Sequence, residues 1–493
     1  MKKRHLMIVI VSSILFLNVY TGLALAQTNS TVQQTNNLAK TVNQQIYGNF
    51  LETPMKTGNQ LVAQGYADDD KFPFSGSIDY YYALENVLAI NSLELCFEYQ
   101  DLEGAADWAS ANILQDISDI FSSATTVHGF REHSDSSSEG ARDTFLQFLA
   151  MDQLSSYYER TKDSIYSKLN DLFNAREGYE ANNTPGYSGY PQGSGAYWTA
   201  LDGYYKDTTY TNCRANVSLM AAVGLSRFAL ALPEADDEDG SKKAAAIYDA
   251  EMAMSWADSY CFQGGFYKES DTDSSDNVHV ITQAYALRAY ASLYRATKKQ
   301  SYLWKADALI RKIMESFWDP GRGGVMETYD TSTGTVVSDH ADGPIKSAYS
   351  NAWFALACAE LYKVSGNTQY LGVAKDTMNF MYNYLWSGVG GSVMGYDEWC
   401  LRNGTKITPD QYSHLDPSGA GSYAKFIKTN VIAMQVNAEI TWEIRPWYVE
   451  YMLYLIIGGG VAIAVIMAAI LIGRRRRLGT KLPKGVKGLL GED

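Results

Sequence analysis

Apolar residues recur at the i, i+3, i+4, i+7 spacing of a helix face over segments 35–53, 77–99, 103–122, 138–158, 162–175, 213–232, 240–260, 279–297, 300–317, 347–365, 368–385 and 422–441. No comparable set of alternating strands is present, so the pattern predicts an all-α body. The links alternate in length. Those after the even-numbered segments are short: Gln100 to Leu102, Arg160-Thr161, Lys298-Lys299 and Gly366-Asn367, with Pro233 to Asp239 the longest. Those before them run from about 15 to nearly 40 residues, well above the usual connection of about 4–6. Short links make antiparallel neighbours. Six hairpins so joined bring every long link to one face.

An internal repeat supports this. Tyr294, Tyr302-Leu303, Trp318 and Gly323-Gly324 return as Tyr362, Tyr370-Leu371, Trp386 and Gly390-Gly391, offset by 67–68 residues, and Gly264-Gly265 stands in the same place one unit earlier. A two-helix repeat indicates stacked hairpins. Segments such as Ala352 to Leu361 are Ala- and Leu-rich all round, which puts the even helices inside a closed ring.

The ends differ from the body. Met1 to Ala26 carries Lys2, Lys3 and Arg4, an apolar run from Leu6 and Ala24-Leu25-Ala26, the pattern of a secretory signal peptide. Tyr451 to Gly473 is 23 residues without a charge, about 34 Å as a helix, enough to span a bilayer. Trp447 and Tyr448 extend this segment to 447–473 with an interfacial belt, and Arg474 to Arg477 close it. The expected order is signal peptide (1–26), toroid domain (27–446), one C-terminal transmembrane helix (447–473) and a basic cytoplasmic tail (474–493), a single-pass cell-membrane protein with its body outside.

Net charge is −14; with +3 at the start and +5 in the tail, −22 falls on the body. Such a body repels a phosphate backbone, which argues against nucleic acid as partner. Of the five cysteines, Cys96 and Cys358 read as core residues, and a disulfide among Cys213, Cys261 and Cys400 is expected outside the cell. Asn29, Asn182, Asn216 and Asn403 head glycosylation sequons; Asn216 lies in a predicted buried helix and is a poor acceptor.

Twelve helices, Gly-Gly-containing long loops and the stretch Gly264-Gly265-Phe266-Tyr267 followed by Asp271-Thr-Asp273-Ser resemble the (α/α)6 toroids, among them the six-hairpin glycosidases, the N-acylglucosamine 2-epimerases and the toroid domain of thioredoxin-associated proteins. The resemblance is architectural. It implies a toroid of six helical hairpins with its site on the long-loop face. The epimerase branch implies two His on neighbouring inner helices; His279 holds a similar place and His340 falls a few residues before its helix. The acid of that branch's His-x-x-Glu is Thr282 here.

The histidines beyond the signal segment (His128, His133, His279, His340 and His414) all fall in long loops or the turn after one. The same loops hold Tyr66, Asp68-Asp69-Asp70, Trp198, Glu269, Asp271, Asp273, Asp276, Glu327, Asp339, Asp342 and Asp397-Glu398-Trp399. Glycoside hydrolysis needs a carboxylic acid as proton donor and a carboxylate as base or nucleophile, and flat aromatic faces suit sugar rings. The leading expectation is a membrane-anchored carbohydrate-active enzyme, a glycoside hydrolase with catalytic carboxylates among Asp69, Asp70, Glu327 and Asp339. His279, His340, Tyr66, Trp198 and Trp399 would bind glycan or oligosaccharide. The alternatives are a surface protein that binds glycan or a partner without catalysis, a sugar epimerase, and a structural subunit of a membrane complex. No metal or cofactor is called for. Asp271, Asp273 and Asp276 are spaced as Ca²⁺ ligands but lack the glycine and distal Glu of an EF-hand loop.

Overall fold

The computed structural model describes residues 38–46, 83–100, 114, 121–122, 129–130, 142–163, 165–179, 200–202, 205–206, 213–237, 240–271, 273–387, 395–407 and 427–444. Residues 1–442 form one compact unit and 443–493 a second, of which the last two residues of the final helix are described. The signal segment and 447–473 lie outside the described residues. Among those described, no helix is long and apolar enough to cross a membrane.

Eleven helices are described: α1 (38–46), α2 (Ala83–Gln100), α3 (Thr144–Thr161), α4 (Tyr166–Tyr179), α5 (Ala215–Ala231), α6 (Ser241–Tyr260), α7 (Val280–Thr297), α8 (Gln300–Ser316), α9 (Ala348–Ser365), α10 (Thr368–Phe380) and α11 (Ile427–Ile444). Their burial separates two classes. In α9 Ala352 to Leu361 is buried throughout, whereas α8 buries only Ala306, Leu309, Ile310 and Ile313. An apolar surface on every side needs neighbours on every side; a single stripe needs one. Helices α2, α3, α5, α7 and α9 pack in that order as an inner row, and α4, α6, α8 and α10 cover it. The row closes through α11, where Gln100 Nε2 donates to Thr441 Oγ1 (3.0 Å) and Lys363 of α9 pairs with Glu439.

Local signals explain the helix limits. Asp143 caps α3 by accepting from the Phe145 and Leu146 N–H groups, and Ser347 caps α9 by accepting from Ser350. Lys162, Lys298 and Gly366 end α3, α7 and α9 in the left-handed region. Gly224 lets α5 and α3 touch, since a Cβ there would lie 2.4 Å from the Phe148 carbonyl oxygen.

The long links are not strand-free, which corrects the sequence reading. β1 (Phe121–Ser122) occupies the end of the segment expected as helix 103–122, and pairs with β2 (Gly129–Phe130). A repeated three-strand motif stands before three inner helices. β3 (Arg142–Asp143), β4 (Ala200–Asp202) and β5 (Tyr205–Lys206) form the first. After the hairpin of β6 (Phe262–Gln263) and β7 (Phe266–Tyr267), β8 (Asn277–His279), β9 (Thr328–Asp330) and β10 (Thr335–Val336) form the second. The third is β11 (Ile345–Ser347) with β14 (Trp399–Leu401) and β15 (Lys406–Ile407); β12 (Trp386–Ser387) and β13 (Gly395–Tyr396) form a further pair. Strands of two or three residues carry no readable alternation. The five cysteines are buried and none is disulfide-bonded, so the expected disulfide among Cys213, Cys261 and Cys400 is not formed; Cys400 sits in β14, beside Lys346.

Candidate functional site

One device recurs at the mouth of the toroid. A carboxamide in the first turn of an inner helix grips the backbone of a loop strand with both of its polar atoms. Gln147 holds Phe130 N–H and C=O at 2.6 and 3.0 Å. Gln283 holds Tyr267 at 2.8 and 2.7 Å, Asn351 holds Val325 at 2.8 and 3.0 Å, and Asn430 holds Tyr396 at 2.8 and 3.4 Å. Two residues after each gripped residue comes a glutamate: Glu132, Glu269, Glu327 and Glu398. Glu132 lies outside the described residues. The other three carbonyls accept from the first N–H of an inner helix: Glu269 from Ala215 (2.8 Å), Glu327 from Val280 (3.0 Å) and Glu398 from Ala348 (2.7 Å). The chain thus delivers equivalent carboxylates to the inner-helix N-termini, where partial positive charge favours acids.

Their surroundings then differ. Glu398 is saturated: Ser347 Oγ and the Tyr349 N–H donate to Oε1 at 2.6 and 3.2 Å, and Thr429 Oγ1 donates to Oε2. Among the described residues Glu327 receives one hydrogen bond, from Ser350 Oγ at 2.9 Å, and its buried Oε2 has no hydrogen-bond partner. Burial pushes its carboxyl up to about 7; the Ser350 hydrogen bond opposes this, and Glu398, Asp339 and Glu269 add to it. A carboxyl poised near neutrality with one oxygen uncommitted suits proton donation.

His279 precedes α7, with Nδ1 3.2 Å from Thr328 Oγ1 and Nε2 3.6 Å from Glu269 Oε1. Burial raises the Asp339 carboxyl, against the lowering effects of a Thr328 hydrogen bond and of His279. Glu269, His279, Thr328 and Asp339 therefore form one polar chain beside Glu327. Glu269 and His279 also line, with Arg214, Asp273 and Asn277, a cleft of about 420 Å³. Aromatic rings floor the mouth: Phe145 and Tyr285 are 5.2 Å apart, Tyr285 and Trp353 5.3 Å, Trp353 and Tyr349 6.1 Å. Phe145 and Tyr349 keep part of their surface exposed.

Of the residues expected from sequence, Glu327, Asp339 and His279 come together. Asp69, Asp70, Tyr66 and Trp198 lie outside the described residues. Trp399 is buried in β14 between β11 and β15, which removes it as an open sugar platform. His340 is turned into its own loop, its Nδ1 accepting from the Asp342 N–H at 3.1 Å. Asp273 serves its turn by accepting from the Ser275 N–H, and the Asp276 carbonyl accepts from Thr331. No three His, Cys, Asp or Glu side chains converge as a metal site among the described residues. From the sequence Glu269 is named among the loop acids without a role, and Phe145 and Tyr349 are not singled out. The glutamate was readable: Gly264-Gly265 and Gly323-Gly324 each lead within a few residues to an acid.

No family model and no curated protein sequence matches the chain. Solved structures do. A D-mannose isomerase is similar at 13% identity and TM-score 0.59, over 82% of this chain and 97% of that one. A cellobiose 2-epimerase from Bacillus thermoamylovorans is similar at 10% identity and TM-score 0.60, over 83% and 99%. A family 76 glycoside hydrolase (mannosidase) from Bacteroides thetaiotaomicron is similar at 12% identity and TM-score 0.54, over 84% and 99%. The described helices and these likenesses together establish the fold as an (α/α)6 toroid.

Proposed function

We propose that the chain is a carbohydrate-active enzyme, a glycoside hydrolase in which Glu327 is the general acid. The observation that carries this is the Glu327 carboxyl: buried, held by one hydroxyl, with a second oxygen unpartnered and a proton retained to about pH 7. Asp339 and Glu269 flank it as candidates for the base or nucleophile, and Asp69 and Asp70 remain candidates from the first long loop. Phe145 and Tyr349 offer ring faces to a sugar. A mouth of converging carboxylates repels polyanions, so the substrate class is a neutral glycan. The likeness to a mannosidase and a cellobiose 2-epimerase supports the sugar chemistry by analogy of fold.

The His279–Glu269 contact favours a second reading, proton exchange next to a sugar carbonyl as in a 2-epimerase. The signal-peptide pattern of 1–26 and the apolar segment 447–473 support a single-pass anchor, with the body outside the cell and the tail 474–493 in the cytoplasm. The test is incubation of the full chain with neutral oligosaccharides, following reducing-end release and the configuration of the product by NMR. Release of new reducing ends supports the hydrolase. Inversion at C2 without release supports the epimerase, and neither reaction on any sugar removes both.

A further inference from the structure

The end of the toroid away from the long loops holds a second cavity. The polypeptide plugs the ring between the two with a buried ionic network: Arg288 donates to Asp152 Oδ2 and Glu360 Oε1 at 2.8 and 2.9 Å, and Arg227 Nη2 donates to Glu360 Oε1 at 2.9 Å. Beyond this plug the C-terminal turns of α2, α3, α5, α7, α9 and the adjoining part of α11 surround a space of about 670 Å³. Such a volume lies in the range of small-molecule sites.

Its lining is cationic. Arg160, Lys162, Arg227, Arg295, Lys298 and Lys363 face it, against Glu159, Glu360 and Glu439. Some of that charge has a structural use, because helix C-termini carry partial negative charge that cations offset. The N–H groups of Lys162, Lys298 and Gly366 already satisfy the carbonyls of Tyr158, Tyr294 and Tyr362. Helix capping leaves several groups unexplained. Arg160 Nε and Arg227 Nε are buried donors without a hydrogen-bond acceptor among the described residues, their nearest carboxylates being Glu98 at 3.6 Å and Asp152 at 3.5 Å; Lys162 and Lys298 are in no ion pair among the described residues and lie over the rings of Tyr158 and Tyr294. The crowding has an electrostatic cost. The Arg295 guanidinium is pushed below its ordinary value first by Arg227 and then by burial, and burial lowers Arg160 with Arg227 adding to it. Two further lining groups, Ser292 and Gln435, are each 2% exposed, and Ser292 Oγ and Gln435 Oε1 have no hydrogen-bond partner among the described residues. A hydroxyl donor and an amide acceptor left open beside a cluster of guanidinium and ammonium groups describe a ligand with anionic oxygens and hydroxyls of its own.

We propose that this cavity is a second binding site, taking a phosphoryl group carried on a polyol, with Arg160, Arg227, Arg295, Lys162 and Lys298 holding the phosphate oxygens and Gln435 a ligand hydroxyl. The shared chemistry is that of a glycerol phosphate, whether as a soluble molecule or as the headgroup of an anionic lipid. The site is separate from the carboxylate mouth and does not depend on the reaction carried out there.

The test uses the full chain in neutral detergent, with thermal unfolding and calorimetric titration at constant ionic strength. Glycerol 3-phosphate is the soluble probe, sodium chloride the control, and micelles doped with phosphatidylglycerol or phosphatidylcholine the lipid arms. The variant is Lys162→Asn with Lys298→Asn. Both positions have positive φ, 57° and 59°, which asparagine tolerates, so unliganded stability should hold. Arg295→Gln is the second variant. The expected result is a rise in melting temperature with glycerol 3-phosphate that chloride does not give, and affinity roughly tenfold weaker in the double lysine variant. Displacement of glycerol 3-phosphate by phosphatidylglycerol micelles, but not phosphatidylcholine, assigns a lipid headgroup; no displacement assigns a soluble ligand. A response equal to chloride, or one unchanged in both variants, overturns the proposal.

Discussion

Replacing Glu327 by glutamine should make the protein more stable while removing its proposed acid. Folding takes this carboxyl from an ordinary 4.5 to about 7, so the folded state holds its proton more tightly by about 3 kcal/mol. The sign follows from which state ionises first. Below 4.5 both states are protonated and nothing is lost; from 4.5 to about 7 the unfolded chain ionises first and stability falls; above that the full cost stands. Glutamine is neutral throughout and its amide oxygen can still accept from Ser350 Oγ. Glu327→Gln should therefore gain about 2–3 kcal/mol at pH 8 and close to nothing at pH 4. Urea unfolding followed by tryptophan fluorescence at pH 4, 6 and 8 measures this directly. A difference independent of pH, or a variant less stable than the parent at pH 8, would refute the assignment of a buried, proton-retaining carboxyl.

Other expectations concern the scaffold. Gln283→Leu leaves the Tyr267 N–H and C=O without their clamp and should cost about 3 kcal/mol in urea unfolding. Arg288→Met leaves the buried Asp152 and Glu360 with Arg227 as their remaining arginine, with an expected loss of about 3 kcal/mol. The Glu360 carboxyl, opposed by its burial, is held down to about 2 by Arg288 and Arg227; its stabilising contribution is present above 4.5 and should disappear as pH falls toward 2, seen as acid unfolding that Glu360→Gln makes shallower. Gly224→Ala drives a Cβ to 2.4 Å from the Phe148 carbonyl oxygen and should lower the melting temperature by several degrees, about 2 kcal/mol of overpacking.

The helices were legible because their signals are local. The segment expected at 347–365 is observed as Ala348–Ser365, and 279–297 as Val280–Thr297, each set by an apolar repeat and a left-handed C-cap. Alternating link lengths carried the pairing of hairpins. The strands were not legible, because their order comes from tertiary clamps: Asn351 grips Val325 from 26 residues away, and nothing in the two- or three-residue strands announces it. The same limit applied to the site. Glu327 was one acid among many until its neighbours showed that, among the described residues, Ser350 alone donates to it, while Glu398, its counterpart one repeat later, receives three hydrogen bonds. Trp399 looked like an open loop tryptophan because strand pairing, not loop composition, decides its burial.

The role of Glu327 as general acid is tested by leaving-group dependence. Hydrolysis by Glu327→Gln is compared with the parent on a neutral glycoside with a sugar leaving group and on the matching dinitrophenyl glycoside. A general acid is needed only where the leaving oxygen requires a proton. The expected result is a fall of about 10²–10⁴-fold on the first substrate and near-parental bond cleavage on the second. Equal losses on both substrates, or no loss on either, would contradict it.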